Sequence, residues 1–124
     1  MEIYLIPQYL ILHLKRFKTQ KSSGFGGFFS SYGSSTKKIT SLVDFPLEGL
    51  DMSQFVLGPQ KENAIYDLYG VSNHFGGMGG GHYTAYCKHH FDGKWYEFDD
   101  SSVRKAAPND VISKAAYVLF YKRR

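Results

Sequence analysis

Cysteine is scarce in this sequence of 124 residues, which contains a single one, Cys87. One thiol excludes an internal disulfide and a zinc site built from paired cysteines, so we expect a reducing compartment, the cytoplasm or the nucleus. Long apolar runs are absent as well. Because no run approaches the roughly 18 residues that a membrane span needs, we expect no association with a membrane.

An excess of charge of one sign is also missing. The formal net charge is +4, from 15 Lys and Arg against 11 Asp and Glu. The basic residues gather in short clusters, one of them at 122–124, and chain ends rich in Lys and Arg are usually solvated. We therefore expect no nucleic-acid binding.

What the sequence does contain is a series of aromatic, alternating segments that are typical of strands. A chain of this length fits one domain. Strands are predicted over 4–17, 39–43, 64–72, 81–89, 94–98 and 116–121. A helical turn is predicted over 51–56 and a short helix over 108–114, where proline suits the first turn. The predicted fold class is α+β, a mainly antiparallel sheet with short helices.

Residues 19–38 interrupt this pattern with a stretch rich in Ser, Gly and Lys. Such a composition does not support a packed core, so we predict a flexible insertion. Four aromatic residues within it leave open a second interpretation, a flap that becomes ordered on a partner.

A glycine-rich segment at 76–81 leads directly into His82, at the start of a predicted strand. Glycines allow a backbone to approach another molecule closely. A histidine that acts as a general base needs a pKa near neutrality and a partner that fixes its tautomer. Of the five histidines, His82 fits best, because a strand anchors it while the loop leaves its imidazole open. His74, which precedes the glycines, is expected to be poorly held.

Strand parity selects the carboxylate that accompanies His82. If 92–93 is a two-residue hairpin turn, Tyr86 faces Asp99, and Asp99 lies on the same side of the sheet as His82. Asp100 then points away. This register leaves Asp99 about 13 Å from His82 at about 3.3 Å per residue, so a bulge, a wider turn or strand coiling must close the gap.

Two other arrangements compete with a histidine–aspartate pair. Cys87 has the opposite parity to His82 and is predicted to be a small buried hydrophobic residue rather than a nucleophile. A metal site formed by His74, His82, Asp99 and His89 remains an alternative, although its spacing matches no zinc pattern. We assign no metal and no cofactor.

Three motifs together resemble the ubiquitin-specific protease family of deubiquitinases. They are PQYLILHLKRF at 7–17, GGHYTAY at 80–86, and WYEFDDSSV at 95–103, which is followed by AAYVLFY at 115–121. The segment NHFGGMGGG at 73–81 is closest to members that carry a DUSP domain. The resemblance implies the palm subdomain of a papain-like cysteine protease, with residues 1–124 forming part of a catalytic domain.

The resemblance also implies roles for individual residues. His82 would deprotonate a cysteine and Asp99 would orient the imidazole, so that the isopeptide bond between the C-terminal glycine of ubiquitin and a lysine is hydrolysed. The implied partners are ubiquitin and ubiquitylated proteins. Residues 73–81 would form a blocking loop beside the ubiquitin tail, and residues 19–38 would form the other blocking loop. The implied substrate-binding residues are Asn73, His74, Gly79, Gly80, Gly81 and Tyr83.

The chain departs from the family at the nucleophile. The family's cysteine lies in a motif of the Gly-Asn-Thr-Cys-Tyr type in a thumb subdomain, which has no match here, and the paired zinc ligands of the fingers are missing too. We therefore expect the chain alone to be inactive. A catalytically inactive ubiquitin-binding module and an unrelated metal-dependent β-domain remain as alternatives.

Overall fold

Antiparallel strand pairing organises the fold in a computed structural model that describes residues 2–21, 34–59, 63–77 and 79–124. Within these ranges the strands are β1 (Tyr9–His13), β2 (Phe17–Lys21), β3 (Ser34–Lys38), β4 (Leu50–Asp51), β5 (Ile65–Phe75), β6 (His82–Lys88), β7 (Trp95–Asp99), β8 (Ser102–Ala106) and β9 (Ala116–Arg123). A 3₁₀ turn covers Ser53–Phe55 and the short helix α1 covers Pro108–Val111. The predicted α+β class with a mainly antiparallel sheet is confirmed.

Seven strands form one sheet in the order β1-β9-β5-β6-β7-β8, with β4 added to one end of β5. Their pairings are antiparallel, and β2 and β3 form a separate two-stranded ladder. Since β5, β6, β7 and β8 follow one another as hairpins, the end of β5, the start of β6 and the end of β7 meet at one end of the sheet. No helix in the described part of the chain is long and apolar enough to cross a membrane.

The core lies on one face of this sheet. Leu68 and Val71 on β5 pack with Leu119 and Tyr121 on β9, and all four are almost completely buried. The residues that complete this cluster from outside the sheet include Phe45, Met52, Val56 and, on α1, Val111. Burial of each such side chain contributes roughly 1.5–3 kcal/mol, so this face positions the strands that carry the site.

The first predicted strand, 4–17, is shorter in the structure because Arg16 turns into the protein. Its guanidinium is buried, with Nε donating to the Ala116 carbonyl at 2.6 Å and Nη1 donating to the carbonyls of Ile39 at 3.0 Å and Ser41 at 2.8 Å. The chain therefore leaves the sheet after His13. The strand predicted at 39–43 is wrong for the same reason, since two of its carbonyls bind Arg16 instead of a neighbouring strand.

The segment predicted as a flexible insertion, 19–38, has strand structure at both ends. Residues 19–21 belong to β2 and residues 34–38 to β3, and these strands pair with each other. Residues 22–33, on which the rest of that prediction falls, lie outside the described residues. Strand β8 was missed because its side chains are mostly exposed, so its sequence carries no apolar alternation.

Candidate active site

The glycine-rich loop is closed at its base by the pairing of Phe75 with His82, the last and first residues of β5 and β6. Gly81, directly before the histidine, has a φ of +115°. A Cβ at this position would lie 2.2 Å from the Phe75 carbonyl oxygen, so only glycine fits. The loop thus holds the start of β6 tightly against the end of β5 and fixes the backbone of His82.

His82 and Asp99 are in direct contact. The Nε2 atom of His82 lies 2.6 Å from Oδ1 of Asp99, and the two side chains are 47% and 43% exposed. An ionised carboxylate only accepts hydrogen bonds, so Nε2 carries the proton. No described residue bonds Nδ1, which is left as an acceptor. Such a pair can act chemically as a general base with a fixed tautomer.

The predicted face of Asp99 is confirmed, and the predicted register is wrong. Tyr86 pairs with Glu97 rather than with Asp99, because the hairpin loop spans 89–94 and not two residues. Two hydrogen bonds between His89 and the other side of the loop close this wider turn, one with Lys94 at 2.8 Å and one with Gly93 at 2.9 Å. The wider turn moves Asp99 two residues closer to His82 along β6.

Asp100 also lies near the histidine, which corrects the prediction that it points away. It sits with φ +50° in the turn between Asp99 and Ser102, where strand alternation does not apply. Ligand atoms of His82, Asp99 and Asp100 all lie within 4.8 Å of one another. The hydrogen bond from His82 to Asp99 raises the pKa of His82 most, followed by the charge of Asp99, with a smaller contribution from Asp100.

The other carboxylate on this face of β7, Glu97, is committed to different partners. The guanidinium of Arg104 donates to it, and this bond holds the pKa of Glu97 below its usual range, with a further contribution from Tyr86. Burial, and then the hydrogen bond with Glu97, raise the pKa of the Tyr86 phenol to about 12. Asp99 therefore remains the β7 carboxylate that serves His82.

His74 is buried and firmly held, which contradicts the expectation of a poorly held loop residue. It lies on β5, is 3% exposed, and packs its ring against Tyr83 at a centroid distance of 4.8 Å. The Nζ atom of Lys38 lies 3.1 Å from Nδ1, and Nε2 lies 3.1 Å from the Gly80 carbonyl oxygen. Sequence reasoning missed Lys38, since nothing local connects it to a histidine 36 positions later.

The remaining predicted substrate-binding residues differ in exposure. Asn73 is 1% exposed, and its Nδ2 donates to Oγ1 of Thr84 at 3.2 Å. Tyr83 is 58% exposed, and Gly79, Gly80 and Gly81 are exposed. Of the predicted substrate-binding residues, Asn73 and His74 line a groove of about 480 Å³. Its walls are Lys38, Thr40, Asn73, His74, Phe75, Gly76, Tyr86, Ser113, Lys114 and Ala115.

Cys87 is exposed, so the prediction that it is a small buried hydrophobic residue is wrong. It lies an odd number of residues from His82 along β6 and so projects from the opposite face of the sheet. Partial desolvation by neighbouring atoms raises the pKa of the thiol. A raised pKa and the wrong face both disfavour it as a nucleophile for His82.

The alternative metal site of His74, His82, Asp99 and His89 is not assembled in the described residues. His89 lies at the far hairpin, where its ring stacks on His90 at 5.3 Å and its Nδ1 is 3.7 Å from Asp92. The cluster within the described ranges that could hold a metal is instead His82, Asp99 and Asp100.

The family is shown by the chain's sequence. Residues 1–121 match the profile of the family described as "Ubiquitin carboxyl-terminal hydrolase". The chain therefore belongs to the ubiquitin carboxyl-terminal hydrolase family, and the resemblance to ubiquitin-specific proteases drawn from its three motifs is confirmed.

Individual relatives agree with this. Ubiquitin carboxyl-terminal hydrolase 15 of Rattus norvegicus is 49% identical over 123 residues, which are 99% of this chain and 12% of that protein. Ubiquitin carboxyl-terminal hydrolase 4 of Bos taurus is 46% identical over 123 residues, which again are 99% of this chain and 12% of that protein. The chain thus spans about an eighth of the length of these relatives.

Solved structures share the fold. The SAGA Ubp8/Sgf11/Sus1/Sgf73 DUB module bound to ubiquitin aldehyde contains a chain that is 32% identical, with a TM-score of 0.78. The match covers 99% of this chain and 26% of that chain. A second DUB module of the same composition, bound to monoubiquitin, has a TM-score of 0.78 at 31% identity, covering 99% of this chain and 25% of that chain.

Proposed function

We propose that this chain supplies the base, His82, and the orienting carboxylate, Asp99, of a cysteine-type deubiquitinase. The observation that carries this proposal is the 2.6 Å contact between Nε2 and Oδ1, next to an exposed loop of glycines. The nucleophile would come from a separate cysteine-bearing segment of the same active site. Membership of the ubiquitin carboxyl-terminal hydrolase family supports the reaction class.

The tautomer defines the path of the proton. Because Nε2–H is engaged by Asp99, the thiol proton would move to Nδ1, and the thiolate would attack the carbonyl carbon of the isopeptide bond. The imidazolium would then protonate the departing lysine amine, leaving a thioester that water hydrolyses. The raised pKa of His82 favours transfer of the thiol proton to the imidazole.

The glycine loop suits a substrate tail without side chains. Within the described part of the chain, no atom lies within 4 Å of the position that a Cβ would take at Gly79 or Gly80, so these residues leave room for another molecule. We propose that the Gly-Gly end of ubiquitin lies along it and contacts the exposed ring of Tyr83. Similar structures described as bound to ubiquitin aldehyde and to monoubiquitin support ubiquitin as the partner.

A titration of the labelled chain with ubiquitin tests the tail site. We expect amide shifts at Gly79, Gly80, Gly81 and Tyr83 in ¹H–¹⁵N spectra, and none of these with ubiquitin that lacks its two terminal glycines. Equal shifts with both forms of ubiquitin would place the contact elsewhere. No shift at about millimolar ubiquitin, a concentration that detects binding of about −4 kcal/mol, would contradict the proposal.

A mutation in a longer protein tests the catalytic role. Where these residues are joined to a cysteine-bearing segment, His82→Gln should lower kcat by about 10⁴-fold or more. His90→Gln is the matched control, because His90 is exposed at the far hairpin and should leave kcat unchanged. Equal activity of both variants would exclude His82 as the base.

The position of Cys87 favours a second function, ubiquitin binding without turnover, when the chain is on its own. A ubiquitin probe with a C-terminal electrophile should leave the chain unlabelled, because its thiol is on the wrong face and has a raised pKa. Labelling at Cys87 would show that the chain has its own reactive nucleophile.

A further inference from the structure

Lys38, His74 and Gly80 form a continuous chain of hydrogen bonds behind the glycine loop, and Lys38 is 36 positions from His74 in the sequence. Lys38, the last residue of β3, places its Nζ 3.1 Å from Nδ1 of His74 and 3.0 Å from the carbonyl oxygen of the same residue. The opposite ring nitrogen of His74, Nε2, lies 3.1 Å from the carbonyl oxygen of Gly80. The β2–β3 ladder and the glycine loop are therefore joined through one buried imidazole.

The donors and acceptors in this chain define the tautomer of His74. A lysine ammonium only donates hydrogen bonds, so Nδ1 must accept from Lys38 and cannot carry a proton. A backbone carbonyl only accepts, so Nε2 must carry the proton that it donates to Gly80. His74 is thus a neutral Nε2–H imidazole, and Lys38 favours the tautomer that can reach the loop.

The bond to Gly80 matters because packing does not hold this part of the loop. A Cβ at Gly79 or at Gly80 would meet no atom of the described residues within 4 Å, so among these residues nothing packs against either glycine. Among the described residues, the hydrogen bond between His74 and the Gly80 carbonyl is the only one that involves Gly79 or Gly80. At Gly81, in contrast, a Cβ would lie 2.2 Å from the Phe75 carbonyl oxygen and 2.8 Å from Nε2 of His74.

We propose that His74 is a positioning residue that pins the glycine loop, and that Lys38 acts with it by selecting its tautomer. The loop leads within two residues from Gly80 to His82, so pinning it defines the wall beside the base. The consequence for hydrolysis rests on the proposed function. The pinning itself is a property of this chain and is tested without ubiquitin or a nucleophile.

Two variants separate the hydrogen bonds from the packing. His74→Phe keeps a ring against Tyr83 and removes both ring nitrogens. Lys38→Met keeps the apolar stem and removes the donor to Nδ1. One control is His13→Phe, which replaces an imidazole that packs against the ring of Tyr117 at a centroid distance of 4.6 Å. The other is Lys37→Met, which makes the same change at the exposed neighbour of Lys38.

Backbone ¹⁵N relaxation measures the pinning. In the unmodified chain we expect an order parameter of about 0.85 at Gly80, and in His74→Phe a value below about 0.6. Amide exchange in the loop should become about threefold to tenfold faster, as expected for loss of one hydrogen bond. Both control variants should leave these values unchanged. Equal order at Gly80 in the unmodified chain and in His74→Phe would overturn the proposal, as would a mobile Gly80 in the unmodified chain.

Long-range ¹H–¹⁵N correlation spectra of the imidazole measure the tautomer, a signature that packing alone does not determine. His74 should be the neutral Nε2–H form in the unmodified chain, and an Nδ1–H population should appear in Lys38→Met together with lower order at Gly80. If His74→Phe does not fold, Lys38→Met still decides. If the tautomer of His74 is unchanged in Lys38→Met, or if Gly80 stays rigid while His74 populates both tautomers, the role of Lys38 is overturned. An Nδ1–H or doubly protonated His74 in the unmodified chain would overturn the role of His74.

Discussion

Replacing Gly81 by alanine should damage the site through the backbone rather than through any lost contact. Its φ of +115° lies where residues with a side chain are rarely found. A Cβ would also sit 2.2 Å from the Phe75 carbonyl oxygen and 2.8 Å from Nε2 of His74. The first of these atoms is backbone in the pair that closes the loop, so it cannot move without opening the pairing of Phe75 with His82.

The expected cost follows from these two effects. Holding a residue other than glycine in such a conformation costs about 1–3 kcal/mol, and overpacking costs about 1–3 kcal/mol more. For a chain of this length, about 1 kcal/mol lowers the melting temperature by about 4 °C, so a loss of at least about 8 °C is expected. If the strand ends separate instead, the loss is local and the contact between His82 and Asp99 is broken.

Gly80→Ala is the matched control, one residue away. Its φ lies outside the left-handed region and its Cβ would meet open space, so its stability should change by less than about 1 kcal/mol. Calorimetry and the imidazole spectrum of His82 should be recorded for both variants. Equal melting temperatures for Gly81→Ala and Gly80→Ala, together with an unchanged His82 spectrum in Gly81→Ala, would refute the expected backbone strain at Gly81.

Three further outcomes are expected. Asp99→Asn should lower the pKa of His82 toward its ordinary value in an NMR titration. A raised histidine pKa stabilises the fold at low pH, and this effect is lost as pH rises through the folded pKa, so the variant should lose more stability at about pH 6 than at about pH 9. An equal loss of stability at both pH values would contradict this. Leu119→Ala should cost about 2–5 kcal/mol in urea unfolding, whereas Ile11→Ala, 61% exposed, should cost less than about 1 kcal/mol; similar costs would contradict the core described above. Arg16→Lys should cost about 2–4 kcal/mol, because one ammonium cannot span three carbonyls that the guanidinium binds, and an unchanged unfolding midpoint would contradict that account.

Much of the sheet could be predicted from local pattern. Strand β6, strand β7 and most of β5 and β9 are rich in aromatic and apolar residues, a local signal that can be recognised without knowing the partner strand. The alternation of side chains between the two faces of a strand assigned Asp99 to the face of His82, which the structure confirms. Family membership, too, was recognisable from three motifs in the sequence alone.

The wrong predictions concern residues whose positions depend on turn geometry or on partners that are distant in the sequence. The register between β6 and β7 depends on a six-residue turn that is closed by backbone bonds, and Asp100 turns toward His82 because a turn residue escapes the alternation of its strand. Arg16 ends β1 early because it binds carbonyls that are 23, 25 and 100 positions away.

The sequence by itself determined which residue types can form strands, which face each side chain takes, and where a general base and a carboxylate can be found. Only the tertiary structure decided that His82 and Asp99 touch, and that His74 is buried between Lys38 and Gly80. The physical reason is that the face of the sheet on which a side chain lies follows from the covalent geometry of one strand. Whether two side chains touch depends on turn length and on hydrogen bonds between segments that meet only after folding.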